Sequence, residues 1–327
     1  MHRIRLVPAL TLTSCLLALS ACGGGGSGGG GGASVDKVGK SLDTSDATPV
    51  ADMTAEEETV KEEGMTANDV VFTQIEAMSY SSGTPTLIVN AMRGEASARA
   101  RGASQVRAKA VDEDEWDFTE DIDDDGTDDV RIQGSYTDDN TEGENSYSYS
   151  GKDQETITVI SDFTDTVRLW DGTDSRSLTM TVSEGAVIET ASTYSGKESW
   201  SEGSGSDSDK FSGTMAITGL DTAWTDDMDR SITVELDGSY AANGKGTYSW
   251  TEESYSEEYD LELAMDLTMV IDIDGDEHTF DMEGTIDIEG DEEKETYDLS
   301  VYVQVDDGAV YGPLDEDEFI NLLEMIY

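Results

Sequence analysis

The chain is 327 residues long and sets 73 aspartates and glutamates against 19 lysines and arginines, a net charge of −54. A field of that sign repels phosphate and makes nucleic acid a poor partner, whereas divalent cations and basic proteins match it better. It also opposes compaction at low ionic strength; near 1 M salt, where the Debye length is about 3 Å, the repulsion is largely screened. Two readings of the acidity stand, a merely soluble surface and adaptation to a saline (halophilic) setting, and the sparseness of lysine favours the second.

Residues 1–21 begin with Arg3 and Arg5, continue with an apolar run over 6–19, and lead into Leu19-Ser20-Ala21-Cys22. A charged segment followed by a short apolar one is the pattern of a secretory signal, and the run is shorter than the ~20 residues that span a bilayer. An ordinary signal with a chance cysteine is one reading. The tetrapeptide and the glycine tract after it resemble the lipobox and tether of bacterial lipoproteins. That resemblance covers the signal and tether alone. It implies that residues 1–21 are removed and that Cys22 is acylated (palmitate among the chains) as the mature N-terminus. Each buried CH₂ then contributes ~0.8 kcal/mol of membrane affinity. It also implies that Gly23, where an aspartate would retain the protein at the inner membrane, directs it to the outer membrane, facing the periplasm or the cell surface. Cys15 leaves with the signal, so no disulfide remains, although the compartment permits one.

Residues 22–50 form a glycine-rich flexible tether. Residues 51–112 follow as an acidic, partly helical segment and an Arg/Ala-rich linker. Val71, Ile75 and Met78 fall on one helical face and predict a helix over 68–78. Arg93, Arg99, Arg101, Arg107 and Lys109 make a basic strip without interleaved aromatics. It is a docking strip for an anionic surface or an exposed linker, and bases have nothing to stack on there.

The 113–327 region reads as an antiparallel β domain, with period-two alternation and turn signals every ten to fifteen residues. Over 261–273 every odd position is apolar: Leu261, Leu263, Met265, Leu267, Met269, Ile271 and Ile273. A turn at Asp274-Gly275 then pairs Ile271 with His278, Met269 with Phe280, Leu267 with Met282, Leu263 with Ile286 and Leu261 with Ile288. A one-residue slip would break every pair. A third strand sets Tyr297 opposite Ile288, Leu299 opposite Ile286 and Val303 opposite Met282. Shorter alternations occur at Ile157/Val159, Val167/Leu169, Leu178/Met180/Val182, Met215/Ile217 and Ile232/Val234/Leu236, with further turns expected at Asp171-Gly172, Asp237-Gly238 and Asn243-Gly244. The tetrapeptide Tyr149-Ser150-Gly151-Lys152 recurs as Tyr194-Ser195-Gly196-Lys197. Asp315 and Glu318 cap a final helix whose stripe is Phe319, Leu322, Leu323 and Ile326. The fold class expected is mainly β: an antiparallel meander forming a curved sheet or partial barrel, with an N-terminal helix and a C-terminal amphipathic helix packed on it.

Chemistry-bearing residues are few. The mature chain has one histidine, His278, and no free cysteine, which leaves no zinc site of the usual His/Cys kind and points away from an enzyme. The best local motif spans 121–129, with Asp121, Asp123 and Asp125 at positions 1, 3 and 5, Gly126 at 6 and Asp129 at 9. It resembles the D-x-D-x-D-G calcium loops, in which alternating oxygens wrap a hard cation. Ile132 replaces the bidentate glutamate of a true EF-hand, and an acidic turn is the other reading. Tyr147/Tyr149, Tyr194/Trp200 and Tyr248/Trp250/Tyr255 are either a sugar- or protein-binding surface or cross-strand pairs. The function expected is that of a non-enzymatic, membrane-anchored envelope lipoprotein with a binding or structural role, held by Cys22. Its partner is an apolar ligand, a glycan or a protein. The alternatives are a lipid carrier with a cavity between sheet and helix, where pliable methionines would fit, and a calcium-dependent surface adhesion module.

Overall fold

A computed structural model describes residues 38, 41–78, 115–171, 174–251, 254–291 and 295–314. The lipobox with Cys22, the glycine tract, the basic strip over 93–109 and the helix expected after Asp315 lie outside the described residues.

Among the described residues the domain is mainly β: one antiparallel, open sheet of twelve strands and one α-helix, α1 (Ala55–Met78). In chain order the strands are β1 (Glu115–Glu120), β2 (Val130–Gly143), β3 (Ser146–Val159), β4 (Phe163–Asp171), β5 (Asp174–Val182), β6 (Val187–Ser201), β7 (Ser204–Thr225), β8 (Ser231–Thr251), β9 (Tyr255–Ile273), β10 (Asp276–Asp291), β11 (Glu295–Val305) and β12 (Val310–Tyr311). Their spatial order is β1-β2-β3-β6-β7-β8-β9-β10-β11-β12. The β4–β5 hairpin branches off and joins β7 through Met180↔Trp224. Neighbours in sequence are mostly neighbours in space, as antiparallel hairpins require.

The expected meander is present in its expected register. Ile271 faces His278, Met269 faces Phe280 and Leu261 faces Ile288, and Tyr297, Leu299 and Val303 take their places on β11. Asp274 and Gly275 both have positive φ, 57° and 90°, as a two-residue primed turn needs. The odd side chains of β9 from Leu261 to Ile271 are all buried.

Helix α1 covers that apolar face. Val71, Ile75 and Met78 have no solvent exposure. Phe72 meets Tyr240 edge-on at 4.8 Å, and the Tyr240 hydroxyl donates to Asn68 Oδ1 at 2.9 Å. The helix starts at Ala55, well before the expected 68, and one element replaces the acidic, partly helical stretch. Its start is a capping box: Thr54 N–H donates to Glu57 Oε2, and Glu57 N–H donates to Thr54 Oγ1. Gly64, which weakens a helix in isolation, is needed in this one because the Phe280 ring lies where a Cβ would stand.

Ordered contacts begin before the helix. Ser41 Oγ donates to Asp266 Oδ1, Leu42 N–H donates to Glu283 Oε2, both at 2.7 Å, and Thr48 bridges Tyr311. Two expected turns are absent. Strand β8 runs straight through Asp237-Gly238 and Asn243-Gly244. Gly244 leaves room for the Phe211 ring. Asp237 Oδ1 accepts from Gly219 N–H at 2.9 Å, beside the bulge that shifts register between Ile217 and Leu220. Asp171 pairs with Asp174 as the last rung of the β4–β5 hairpin, and Gly172 of the expected Asp171-Gly172 turn lies outside the described residues.

Candidate binding surfaces

The aspartate loop joins β1 to β2. Asp124 (φ 62°) and Gly126 (φ 95°) turn the backbone sharply. Asp121 accepts from Asp125 N–H at 3.1 Å and from Gly126 N–H at 2.8 Å. Asp123 accepts from Asp125 N–H at 3.2 Å and, through its other oxygen, from Thr164 N–H at 3.1 Å, which ties the loop to β4. Asp129 is buried and accepts from Ile122 N–H at 2.8 Å. Oxygens of Asp121, Asp123 and Asp129 lie within 4.8 Å of one another, a spacing that could hold a cation. Asp125 does not join them: its Oδ1 accepts from Thr127 N–H at 2.7 Å. Burial, reinforced by the charges of Asp123 and Asp121, pushes the Asp129 carboxyl above its ordinary range despite its backbone hydrogen bonds.

The second region is the far half of the long strands, beyond α1. Strands β3, β6, β7, β8 and β9 run 14 to 22 residues, whereas about five or six are typical. On the face that carries the apolar core, the core residues give way to rings laid over glycines of the neighbouring strand. Tyr149 covers Gly196, Tyr194 covers Gly151, Phe211 covers Gly244, Trp250 covers Gly205 and Tyr259 covers Gly290. A ring over a cross-strand glycine restores the packing that the glycine lacks. The tetrapeptide recurrence is thereby explained. Its two copies pair with each other, Tyr149↔Gly196, Ser150↔Ser195 and Gly151↔Tyr194, so each tyrosine roofs the other copy's glycine.

Carboxyl groups are buried among these rings. Asp153, Glu155 and Asp209 are each less than a tenth exposed. Tyr149 O–H donates to Asp209 Oδ1. Burial pushes the Asp209 carboxyl upward. Burial and the neighbouring Asp209 and Glu198 charges push Asp207 to about 6. Burial and the Asp209 carboxylate also push the Tyr149 phenol upward. The arrangement can hold a proton between Asp207 and Asp209 in weakly acidic solution.

His278 lies at the start of β10, where its Nδ1 meets Asp306 Oδ2 at 2.7 Å and its Nε2 lies 3.9 Å from Asp276 Oδ2. The hydrogen bond to Asp306 raises its pKa. Sequence reasoning missed Asp207, Asp209 and the ring-on-glycine pairs. The usable signal was the spacing of each glycine against an aromatic on an adjacent strand, which needs the register first. No helix among the described residues is long and apolar enough to cross a membrane. Compared with known proteins, the chain matches no family model, and neither a curated protein nor a solved structure matches it.

Proposed function

We propose that this is a non-enzymatic envelope lipoprotein, held in the outer membrane through acylated Cys22 and adapted to salt, whose folded domain binds a partner outside the bilayer. The observation that carries the reading is the length of β6 to β9 beyond α1. That half lends the core only Tyr248, Tyr259, Leu261 and Leu263, and the rest of its length, with its exposed rings, serines and charges, serves as a displayed surface. The fold proposed for the intact domain retains the curvature and the C-terminal helix expected from Asp315. The carrier alternative receives less support, because the inward apolar side chains of β9 and β10 are taken up by contacts within one continuous core.

The anchor is tested by the intact mass of protein extracted from its own membranes. Acyl chains on Cys22 are expected, and Cys22→Ser should release the protein to the soluble fraction. An unacylated wild-type protein that fractionates as soluble would overturn the reading.

A calcium-dependent adhesive role is the second reading, favoured by the convergence of Asp121, Asp123 and Asp129. Calcium should then raise the melting temperature of the wild type and leave Asp121→Ala/Asp123→Ala unmoved. Equal responses from the two proteins would remove the loop from consideration.

A further inference from the structure

Four of the five lysines among the described residues gather on one patch, Lys152, Lys197, Lys210 and Lys245. They occupy adjacent strands β3, β6, β7 and β8. Lys210 is directly opposite Lys245 on one side and Ser195 on the other, Ser195 faces Ser150, Lys197 faces Ser148 and Ser208, and Lys152 faces Thr193. Side chains alternate along a strand, so all of these project from the face opposite the rings. They line a shallow depression of about 770 Å³, within the size range of small-ligand sites.

Electrostatics alone would not build this patch. Like charges directly opposite on neighbouring strands are destabilising, and Lys210 and Lys245 are such a pair. The chain has 73 carboxylates with which to relieve its cations. Lys245 uses one, Asp260, at 2.5 Å. Among the described residues no ion pair joins a carboxylate to Lys152, Lys197 or Lys210, although Lys61, Arg131 and Arg230 all have one. A local rule broken without structural gain marks a functional position.

We infer that this patch binds an acidic polysaccharide, with the ligand's carboxylate or sulfate groups on the four lysines and its ring hydroxyls on the serines between them. The inference rests on the binding role proposed above and names its ligand. Ammonium groups on flexible stems follow anionic groups whose positions vary along a chain. Serine and threonine hydroxyls both donate and accept, as sugar hydroxyls require. The rings of the same strands lie on the other face, so stacking on bases has no platform here, and the patch offers no large apolar anchor of the kind that dominates protein interfaces. The acidic flank at Asp260 and Glu262 confines the ligand to the β3–β8 side. The repulsion from the rest of the chain is screened beyond about 8 Å at physiological ionic strength.

The test uses the full acylated chain in detergent, titrated at physiological ionic strength with alginate, heparin, dextran, polyglutamate and single-stranded DNA. Alginate or heparin should bind, the better of the two telling carboxylate from sulfate preference. Dextran should not bind, and polyglutamate and DNA should bind about tenfold or more weakly than the better glycan. K210Q/K245Q and K152Q/K197Q should each weaken glycan binding about tenfold or more, and K210R/K245R should retain it. The melting temperature of K210Q should stay level or rise, because the repulsion from Lys245 is removed while the Lys245–Asp260 pair is kept. Glycan affinity of the wild type should fall with added salt, a readout that needs no variant. Absence of glycan binding, binding indifferent to both lysine pairs or to salt, or equal binding of polyglutamate or DNA would overturn the proposal. Cys22 acylation and membrane fractionation are scored on the same preparation, so a lost ligand with an intact anchor leaves the lipoprotein reading standing.

Discussion

Strand β7 crosses two regions built from different materials. At Met215, Ile217 and Leu220 its inward side chains are at most 2% exposed and belong to the core beneath α1. A few residues earlier the same face carries Asp207, Asp209 and Phe211, packed among tyrosines and cross-strand glycines. The backbone ladder is the same in both, so the ladder does not decide where stability resides. Near the helix the driving force is area removed from water, about 25 cal/mol per Å². In the far half it is ring-on-glycine packing and the satisfaction of buried polar groups, which contribute less per residue.

The largest expected effect tests that ranking. Phe280 has no exposure and fills the space beside Gly64, so Phe280→Ala should cost about 3–5 kcal/mol in chemical denaturation. Trp250→Ala, at a ring 39% exposed over Gly205, should cost about 1 kcal/mol. Similar costs at the two sites would erase the distinction. A smaller effect sharpens it. Gly244→Ala places a Cβ against the Phe211 ring and should cost about 1–3 kcal/mol by overpacking. In a Phe211→Ala background the penalty should largely vanish, a coupling of about 0.5–3 kcal/mol. Independent, additive penalties would mean that the rings do not pack on the glycines in solution.

The contrast between regions also explains what was legible. The β9–β11 meander could be written down in register because one face is buried: seven alternate apolar residues and one Asp-Gly turn leave a single pairing. The far half of β6–β8 carries no such pattern. Its inward rings are interrupted by Gly196, Asp207, Asp209, Gly244 and Gly246, which read as loop or turn in isolation, and so Asn243-Gly244 is mistaken for a hairpin. The glycine is there to clear a ring on another strand, information that is non-local. The aspartate loop was legible as a motif, with Asp121, Asp123 and Asp129 brought together. Asp125 turns to Thr127 because a short Asx turn satisfies it locally. The lysine patch was invisible, since its four members are dispersed over nearly a hundred residues and meet only through strand order.

The smallest effect concerns protons. Asp207 titrates near 6 in the folded protein against an ordinary value of 3.8. Between those values the unfolded chain releases a proton that the native state keeps, so rising pH favours unfolding. This contribution to stability is present below about pH 4, declines up to about pH 6 and is level above. Asp207 is half-buried, and the solvent that still reaches it limits the effect to about 1 kcal/mol. Asp207→Asn should therefore be more stable than the wild type at pH 7 by that amount, with the two converging at pH 4. His278, raised by Asp306, acts later: its stabilisation is complete below its unfolded value and is lost as pH climbs through the raised one. His278→Gln should leave the pH 4–6 slope untouched, and that separates the two groups. A slope unchanged by Asp207→Asn would place the shared proton elsewhere in the cluster, and the polar half would then owe its pH response to Asp209 and its tyrosine partner.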